Sequence, residues 1–96
     1  MIPIQKLVFR DGSVKFTRKL KNNQPRTLDQ ITSDGVNGFK EGRNGEIYDY
    51  LSRGMLVSAN VVYTASTPTE AKKIKKILAD YETSIGTKVL DYKEQA

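Results

Sequence analysis

A capped amphipathic helix between two strand-like runs constrains the fold of this 96-residue chain more than any other feature. Thr67-Pro68-Thr69-Glu70 combines a capping box with proline at the first helical position, so two independent signals place the helix start at the same point. Residues 56–64 form a strand-like run before it, and residues 87–92 form another after Gly86. This order predicts a parallel, right-handed strand–helix–strand crossover over residues 55–92.

The predicted helix has one apolar face, because its apolar residues recur at helical spacing. We expect that face to be buried: Ala71, Ile74, Ile77, Leu78, Tyr81 and Ile85. Lys72 and Lys76 point away from it and are expected to be solvated. The strand at residues 56–64 is partly apolar on both faces, a pattern typical of a central strand.

Residues 4–20 are expected to form a β-hairpin around Asp11-Gly12. Asp-Gly between two apolar runs predicts a two-residue type I′ turn, since both central residues then need a positive φ. In that register Leu7 faces Phe16 and Phe9 faces Val14, so these apolar side chains share one face of the ribbon. The basic side chains are then expected to lie on the opposite face.

The net charge of the chain is concentrated in this N-terminal part. The chain sums to +5, and residues 1–26 contain seven Lys and Arg residues against one acid, Asp11. Lysines and arginines on adjacent strands can follow a phosphate backbone, and exposed tyrosines can stack on bases. The candidate nucleic-acid-binding residues are Lys6, Arg10, Lys15, Lys19, Lys21 and Arg26. The candidate stacking residues are Tyr48, Tyr50 and Tyr63.

The middle of the chain, residues 21–45, is rich in glycine and polar residues and is expected to be mostly loop. Thr27 and Gln30 form a capping-box pair, which predicts a short helical turn there. Residues 46–54 fit either a short helix or the second strand of a hairpin. A helix is favoured, because Gly54 would end it naturally before the next strand.

Composition excludes several function classes. The chain has no cysteine and no histidine, so disulfides, thiolate metal sites and the usual general base are absent. No nucleophile motif compensates for this, and we therefore expect no enzymatic activity, no cofactor and no metal site. A cysteine-free chain with no targeting or membrane-spanning segment is expected in the cytoplasm.

These observations predict a single small α+β domain over residues 1–96. We expect a two-layer sandwich with an N-terminal hairpin, a C-terminal βαβ unit, about four strands, one main helix and one or two short helices. The expected function is that of a non-enzymatic accessory protein that contacts nucleic-acid phosphates, single- or double-stranded, without reading sequence. The alternative is a small protein–protein interaction module that binds an acidic partner, such as an assembly component, adaptor or inhibitor of the kind that phages or mobile elements encode. The edges of the predicted sheet carry no visible protection against pairing with another strand, so a homo-oligomer is a further alternative.

Overall fold

A computed structural model shows a small α+β fold, as the sequence predicts. It describes residues 1–18, 27–32 and 46–90. The described strands form a three-stranded antiparallel sheet in the order β2-β1-β3. The strands are β1 (Ile2–Phe9), β2 (Val14–Thr17) and β3 (Leu56–Ala65), and the helices are α1 (28–32), α2 (Glu46–Ser52) and α3 (Pro68–Ser84).

Side chains from both faces of the sheet are buried. Because side chains alternate along β1, Leu7 and Phe9 lie on one face and Ile4 on the other. The first face packs against α2 through a buried cluster of Leu7, Phe9, Ile31, Ile47, Tyr50, Leu51 and Leu90. The second face packs against α3 through Ile4, Val14, Phe16, Ala65 and Ala71. The expected sandwich thus corresponds to α3 on the sheet, and α2 covers the opposite face.

The hairpin forms, but its predicted register is wrong by one residue. Val8 lies opposite Val14, and Leu7 lies opposite Lys15 rather than Phe16. The Gly12 N–H donates to the Phe9 carbonyl and the Phe9 N–H donates to the Ser13 carbonyl, which closes a three-residue loop. Gly12 has φ +86°, the left-handed conformation that ends such a loop. The extra loop residue moves every β2 side chain to the other face.

The strand predicted to be central, now β3, lies at the edge of the described sheet. Its inner edge pairs with β1 from Ile2↔Ala65 to Phe9↔Leu56, and none of the described segments pairs with its outer edge. Two register shifts interrupt the pairing, so that Val57 and Val62 are bulged out of register. The pairing is regular between them.

Local signals in the helices are confirmed. The Thr67 hydroxyl accepts from the Glu70 N–H at 3.1 Å, with Pro68 in the first turn of α3. In the same way the Thr27 hydroxyl accepts from the Gln30 N–H at 3.2 Å, and the Gln30 side chain accepts from the Thr27 N–H at 3.0 Å. Residues 46–52 are helical, and Gly54 follows with φ +66°. The prediction that residues 46–54 form a short helix and not a strand is therefore confirmed.

The buried face of α3 differs from the predicted one. Ala71 is fully buried and Ile74 and Leu78 are half-buried, as expected, but Ile77, Tyr81 and Ile85 are exposed. Glu82 is buried in their place. The helix is rotated so that Ala71 and Ala79 approach the sheet, because small side chains allow the closest contact between layers.

Of the last predicted strand, residues 87–92, the described part forms a parallel bridge between Val89 and Val14 of β2, and Asp91 and Tyr92 lie outside the described residues. The Val14 N–H donates to the Lys88 carbonyl at 3.0 Å, and the Leu90 N–H donates to the Val14 carbonyl at 2.8 Å. Since β2 and β3 are both antiparallel to β1, this segment runs parallel to β3. The predicted parallel crossover is present, and it passes over β1 and β2.

Candidate functional site

The predicted basic face does not form among the described residues. Lys6 and Lys15 project from opposite faces of the sheet as a result of the one-residue change in register. Lys15 is buried, with 6% of its surface exposed, on the face that carries Leu7. Lys6 lies on the α3 face, where its Nζ is 3.0 Å from Oε1 of the buried Glu82. Lys15 is therefore buried in the fold, and Lys6 is held in an ion pair with α3.

The other members of the predicted set are dispersed or undescribed. Arg10 lies in the exposed hairpin turn beside Asp11, and its backbone N–H donates to the Met55 carbonyl at 2.9 Å. Lys19, Lys21 and Arg26 lie outside the described residues, as does the glycine-rich stretch 34–45. Of the six predicted cations, Arg10 alone is both described and exposed.

Tyr50 is a core residue, which contradicts its predicted role in base stacking. Only 7% of its surface is exposed, and its ring meets that of Phe9 edge-on at 5.2 Å. Its hydroxyl donates to the Asp11 carboxylate, and the Arg53 guanidinium lies 5.6 Å from the ring centroid. These contacts occupy the edge, the hydroxyl and one side of the ring, so a base has no access to it.

Tyr63 is the one predicted stacking residue that the structure leaves exposed, and the Tyr48 side chain lies outside the described part. The Tyr63 hydroxyl donates to Glu70 Oε1 at 3.0 Å, linking β3 to the first turn of α3. That bond and the carboxylate charge raise the pKa of the phenol above its ordinary value of 10.0. Tyr63 therefore remains a neutral hydrogen-bond donor at physiological pH.

The outer edge of β3 presents an exposed apolar surface. Its ten residues, Leu56–Ala65, contain no charged side chain and no proline. More than two-fifths of the surface is exposed in each of four large apolar residues: Val57, Val61, Val62 and Tyr63. A strand edge normally carries charges or proline that prevent another strand from pairing with it. Here the two bulges are the only such device within β3.

A second exposed apolar stripe lies on α3. Ile77, Tyr81 and Ile85 are spaced by four residues, and about three-fifths of each is exposed. Glu70 precedes Ile77 by seven residues, close to two helical turns, so it lies on the same line of the helix. Because Glu70 accepts the hydrogen bond from Tyr63, this line of α3 faces β3. We call the outer edge of β3 and this helix stripe together the β3–α3 surface: Val57, Val61, Val62, Tyr63, Ile77, Tyr81 and Ile85. Val61, opposite Gln5 of β1, projects to the α2 side of the sheet, whereas Tyr63, opposite Ile4, projects to the α3 side.

The sequence contains two signals for this surface. The first is the absence of charge over ten consecutive strand residues, which is unusual for an edge strand. The second is the pair Ala71 and Ala79, which marks the face of α3 that can approach the sheet most closely. A buried helix face centred on Ala71 and Ala79 predicts that Ile77 and Tyr81 are exposed.

Compared with protein-family models, curated proteins and solved structures, the chain matches none of them. Within residues 1–18, 27–32 and 46–90, no three acidic, histidine or cysteine side chains come together as metal ligands. No helix in the same ranges is long and apolar enough to cross a bilayer. The β3–α3 surface and the distribution of charge are therefore the features of the molecule that bear on its function.

Proposed function

We propose that this protein is a non-enzymatic protein–protein interaction module that binds its partner through the β3–α3 surface. The observation that carries the proposal is the juxtaposition of an uncharged, exposed strand edge with an exposed apolar helix stripe. The partner would contribute an extended segment along β3 and apolar side chains that cover Ile77 and Tyr81. The cytoplasmic location expected from the cysteine-free composition is part of this proposal.

Two kinds of interaction support such a docking mode. An open edge offers unpaired N–H and C=O groups that an added strand can satisfy, which provides affinity with little dependence on sequence. Exposed apolar side chains on the strand edge and on α3 provide the hydrophobic contribution, and large exposed apolar patches commonly mark interaction sites. The bulges at Val57 and Val62 restrict regular pairing to Ser58–Val61, so side-chain contacts with α3 must supply much of the binding energy.

The chemistry of this surface also specifies the kind of partner. β3 has no charged residue, and the exposed line of α3 toward it carries Ile77 and Tyr81 beyond Glu70. An acidic partner, as expected from composition, would find no cation along this line. The surface selects an apolar segment of high β propensity instead.

Peptide titration monitored by NMR tests the proposal. We expect an uncharged ten-residue peptide of alternating Val and Thr to shift the amide signals of residues 57–63 and 77–81. The double variant Val62→Lys/Tyr81→Lys should weaken peptide binding by at least about tenfold, since two charges would be desolvated. Thr69→Lys, on the exposed outer side of α3, is the matched control. Shifts confined to other regions, or equal binding by all variants, would contradict the proposal.

Nucleic-acid binding is the second candidate, and a different group of residues supports it. Lys72, Lys73 and Lys76 are exposed together on the outer side of α3, away from the β3–α3 surface. Lys76 Nζ lies 3.4 Å from Asp80 Oδ2 in an exposed pair, which surrounding water screens. We propose these lysines, with the exposed hairpin cations Arg10 and Arg18, as the phosphate-contacting groups.

A salt titration decides this second candidate. Phosphate contacts by all five cations predict a log–log salt slope of about −4.5 on duplex DNA, or roughly a 500-fold loss between 50 and 200 mM salt. Lys72→Gln/Lys73→Gln should reduce the magnitude of the slope by about 1.8, because two phosphate contacts are lost. Arg10→Gln/Arg18→Gln removes the same charge from the hairpin and tests whether position matters. Absence of binding to either nucleic acid at low salt would exclude this function.

A further inference from the structure

We infer that the partner at the β3–α3 surface is a second copy of this chain, related by a two-fold axis perpendicular to the sheet at Asn60. This inference rests on the proposed function and specifies its partner. Symmetry, the position of the bulges, the level of α3 over β3 and the absence of opposed like charges support it. Each of these is independent of the exposed area itself.

Symmetry defines the arrangement. An axis perpendicular to the sheet makes the two β3 strands antiparallel and keeps α3 of both copies on the same face. The sheets then join into one of six strands, with the seam strands about 4.8 Å apart. The apolar lines of the two α3 helices face each other across this seam. One association would therefore cover both stripes of the β3–α3 surface.

The bulges fix the register. Residues directly opposite in an antiparallel pair point to the same face, so the axis must pass through a residue and not between two. Regular pairing is available between the bulges at Val57 and Val62. An axis through Asn60 pairs Asn60 with its own copy and places the exposed Val61 opposite Ala59. An axis through Ala59 would instead place Val61 against the bulged Val57.

The middle of α3 lies at the same level along β3 as that axis. α3 returns along β3 after a two-residue connection, and Glu70 lies beside Tyr63. Asn60 is three strand residues from Tyr63, or about 10 Å. At 1.5 Å per residue the helix covers this distance in about seven residues. Ile77 is therefore level with Asn60, and the axis that pairs Asn60 with its copy also places the two Ile77 residues at the same level on either side of the seam.

The charges in the middle of α3 lie outside the contact in the same arrangement. Lys72, Lys73, Lys75 and Lys76 lie in the first half of the helix, and Asp80 lies in the second half. Lys73, Lys76 and Asp80 lie on the outer side of α3, where Lys76 pairs with Asp80, so the arrangement brings none of these charges to the seam. The strands themselves place no like charges opposite each other, because β3 carries none. Like charges therefore oppose self-association neither along the strand nor along the line of α3 that faces it.

Sedimentation velocity on the full chain tests the inference. We expect wild type to show a concentration-dependent dimer. Asn60→Asp should weaken dimerisation at least about tenfold, because it places two carboxylates directly opposite each other at the axis. The monomer should tolerate this change, since Asn60 is exposed and lies opposite Lys6 of β1. Ile77→Asp tests the helix contact separately, and Thr69→Asp on the outer side of α3 is the charge-matched control.

The outcomes separate this inference from the proposed function. A wild-type protein that stays monomeric while the Val/Thr peptide still shifts residues 57–63 would overturn self-association and leave the docking function standing. A monomer that also ignores the peptide would overturn both. A dimer that survives Asn60→Asp and Ile77→Asp equally well would place the interface elsewhere. Loss of dimer in both variants, with Thr69→Asp unchanged and all melting temperatures similar, is the expected result.

Discussion

At the scale of single residues, Asp11 connects the hairpin turn to α2. Its carboxylate accepts from the Tyr50 hydroxyl, and its Oδ1 accepts from the Ser13 backbone N–H at 2.9 Å. These two hydrogen bonds, the one from Tyr50 first, hold the pKa of Asp11 below its ordinary value of 3.8. The residue expected only to shape a turn therefore also anchors the phenol that closes one core cluster.

The lowered pKa predicts a pH dependence of stability. A carboxylate whose pKa is lower in the folded state contributes stability above its unfolded pKa, here near 3.8, and loses it as the pH falls through the folded pKa. We expect Asp11→Asn to be less stable than wild type at neutral pH, with the difference shrinking below about pH 4. Urea unfolding across this pH range measures it. Asp29→Asn, at an exposed position in α1, is the control and should change little. A constant difference at all pH values would contradict the assignment.

At the scale of elements, an ion pair couples β1 to α3. Lys6 is about one-third exposed, whereas the side chain of Glu82 is 8% exposed. Glu82 Oε1 accepts a hydrogen bond from Lys6 Nζ at 3.0 Å, and Glu82 Oε2 has no hydrogen-bond partner among the described residues. The carboxylate is therefore the partner that depends on the pair, since the ammonium can still reach water.

This asymmetry predicts unequal effects of removing each partner. Lys6→Met should destabilise the fold by about 2 kcal/mol, because it leaves a buried carboxylate uncompensated. Glu82→Leu should cost less, and Lys6→Met/Glu82→Leu should return to within about 1 kcal/mol of wild type. Urea unfolding of the three variants closes the double-mutant cycle. Equal losses for both single variants would mean that the carboxylate is not the dependent partner.

Elements defined by local chemistry could be predicted from the sequence. The capping boxes at Thr67 and Thr27 involve residues three apart, so the signal and the structure lie within one helical turn. The same holds for Gly54 at the end of α2. The α+β order of elements follows from these boundaries, and it was predicted correctly for the same reason.

Features set by longer-range packing could not be predicted in this way. Asp11-Gly12 suits a two-residue loop, but Gly12 equally suits the left-handed position of a three-residue loop. The apolar pattern could not separate the two, because both faces of the sheet are covered and Phe16 is buried in either register. The candidate basic site depended on that register and was lost with it. The rotation of α3 depended likewise on the alanines that face the sheet.

At the scale of the whole molecule, the sheet acts as a divider between two separate cores. The α2 side contains the edge-on contact of Phe9 with Tyr50, and the α3 side packs Phe16 among aliphatic side chains around Ile4. With both faces used for packing, the outer edge of β3 and the line of α3 beside it are the main exposed apolar areas among the described elements. A binding role at that edge leaves both cores undisturbed.

The central position of β1 also has a consequence for how the chain folds. β1 comes first in the order of elements, yet its pairing with β3 joins residues from 47 apart, Phe9 and Leu56, to 63 apart, Ile2 and Ala65. During synthesis β1 and β2 can form only a two-stranded ribbon, which is marginally stable alone. The sheet is completed only after β3 has emerged from the ribosome. Until then both edges of the β1–β2 ribbon are unpaired, and the apolar faces that later pack against α2 and α3 are exposed. The chain is therefore most prone to aggregation during this interval.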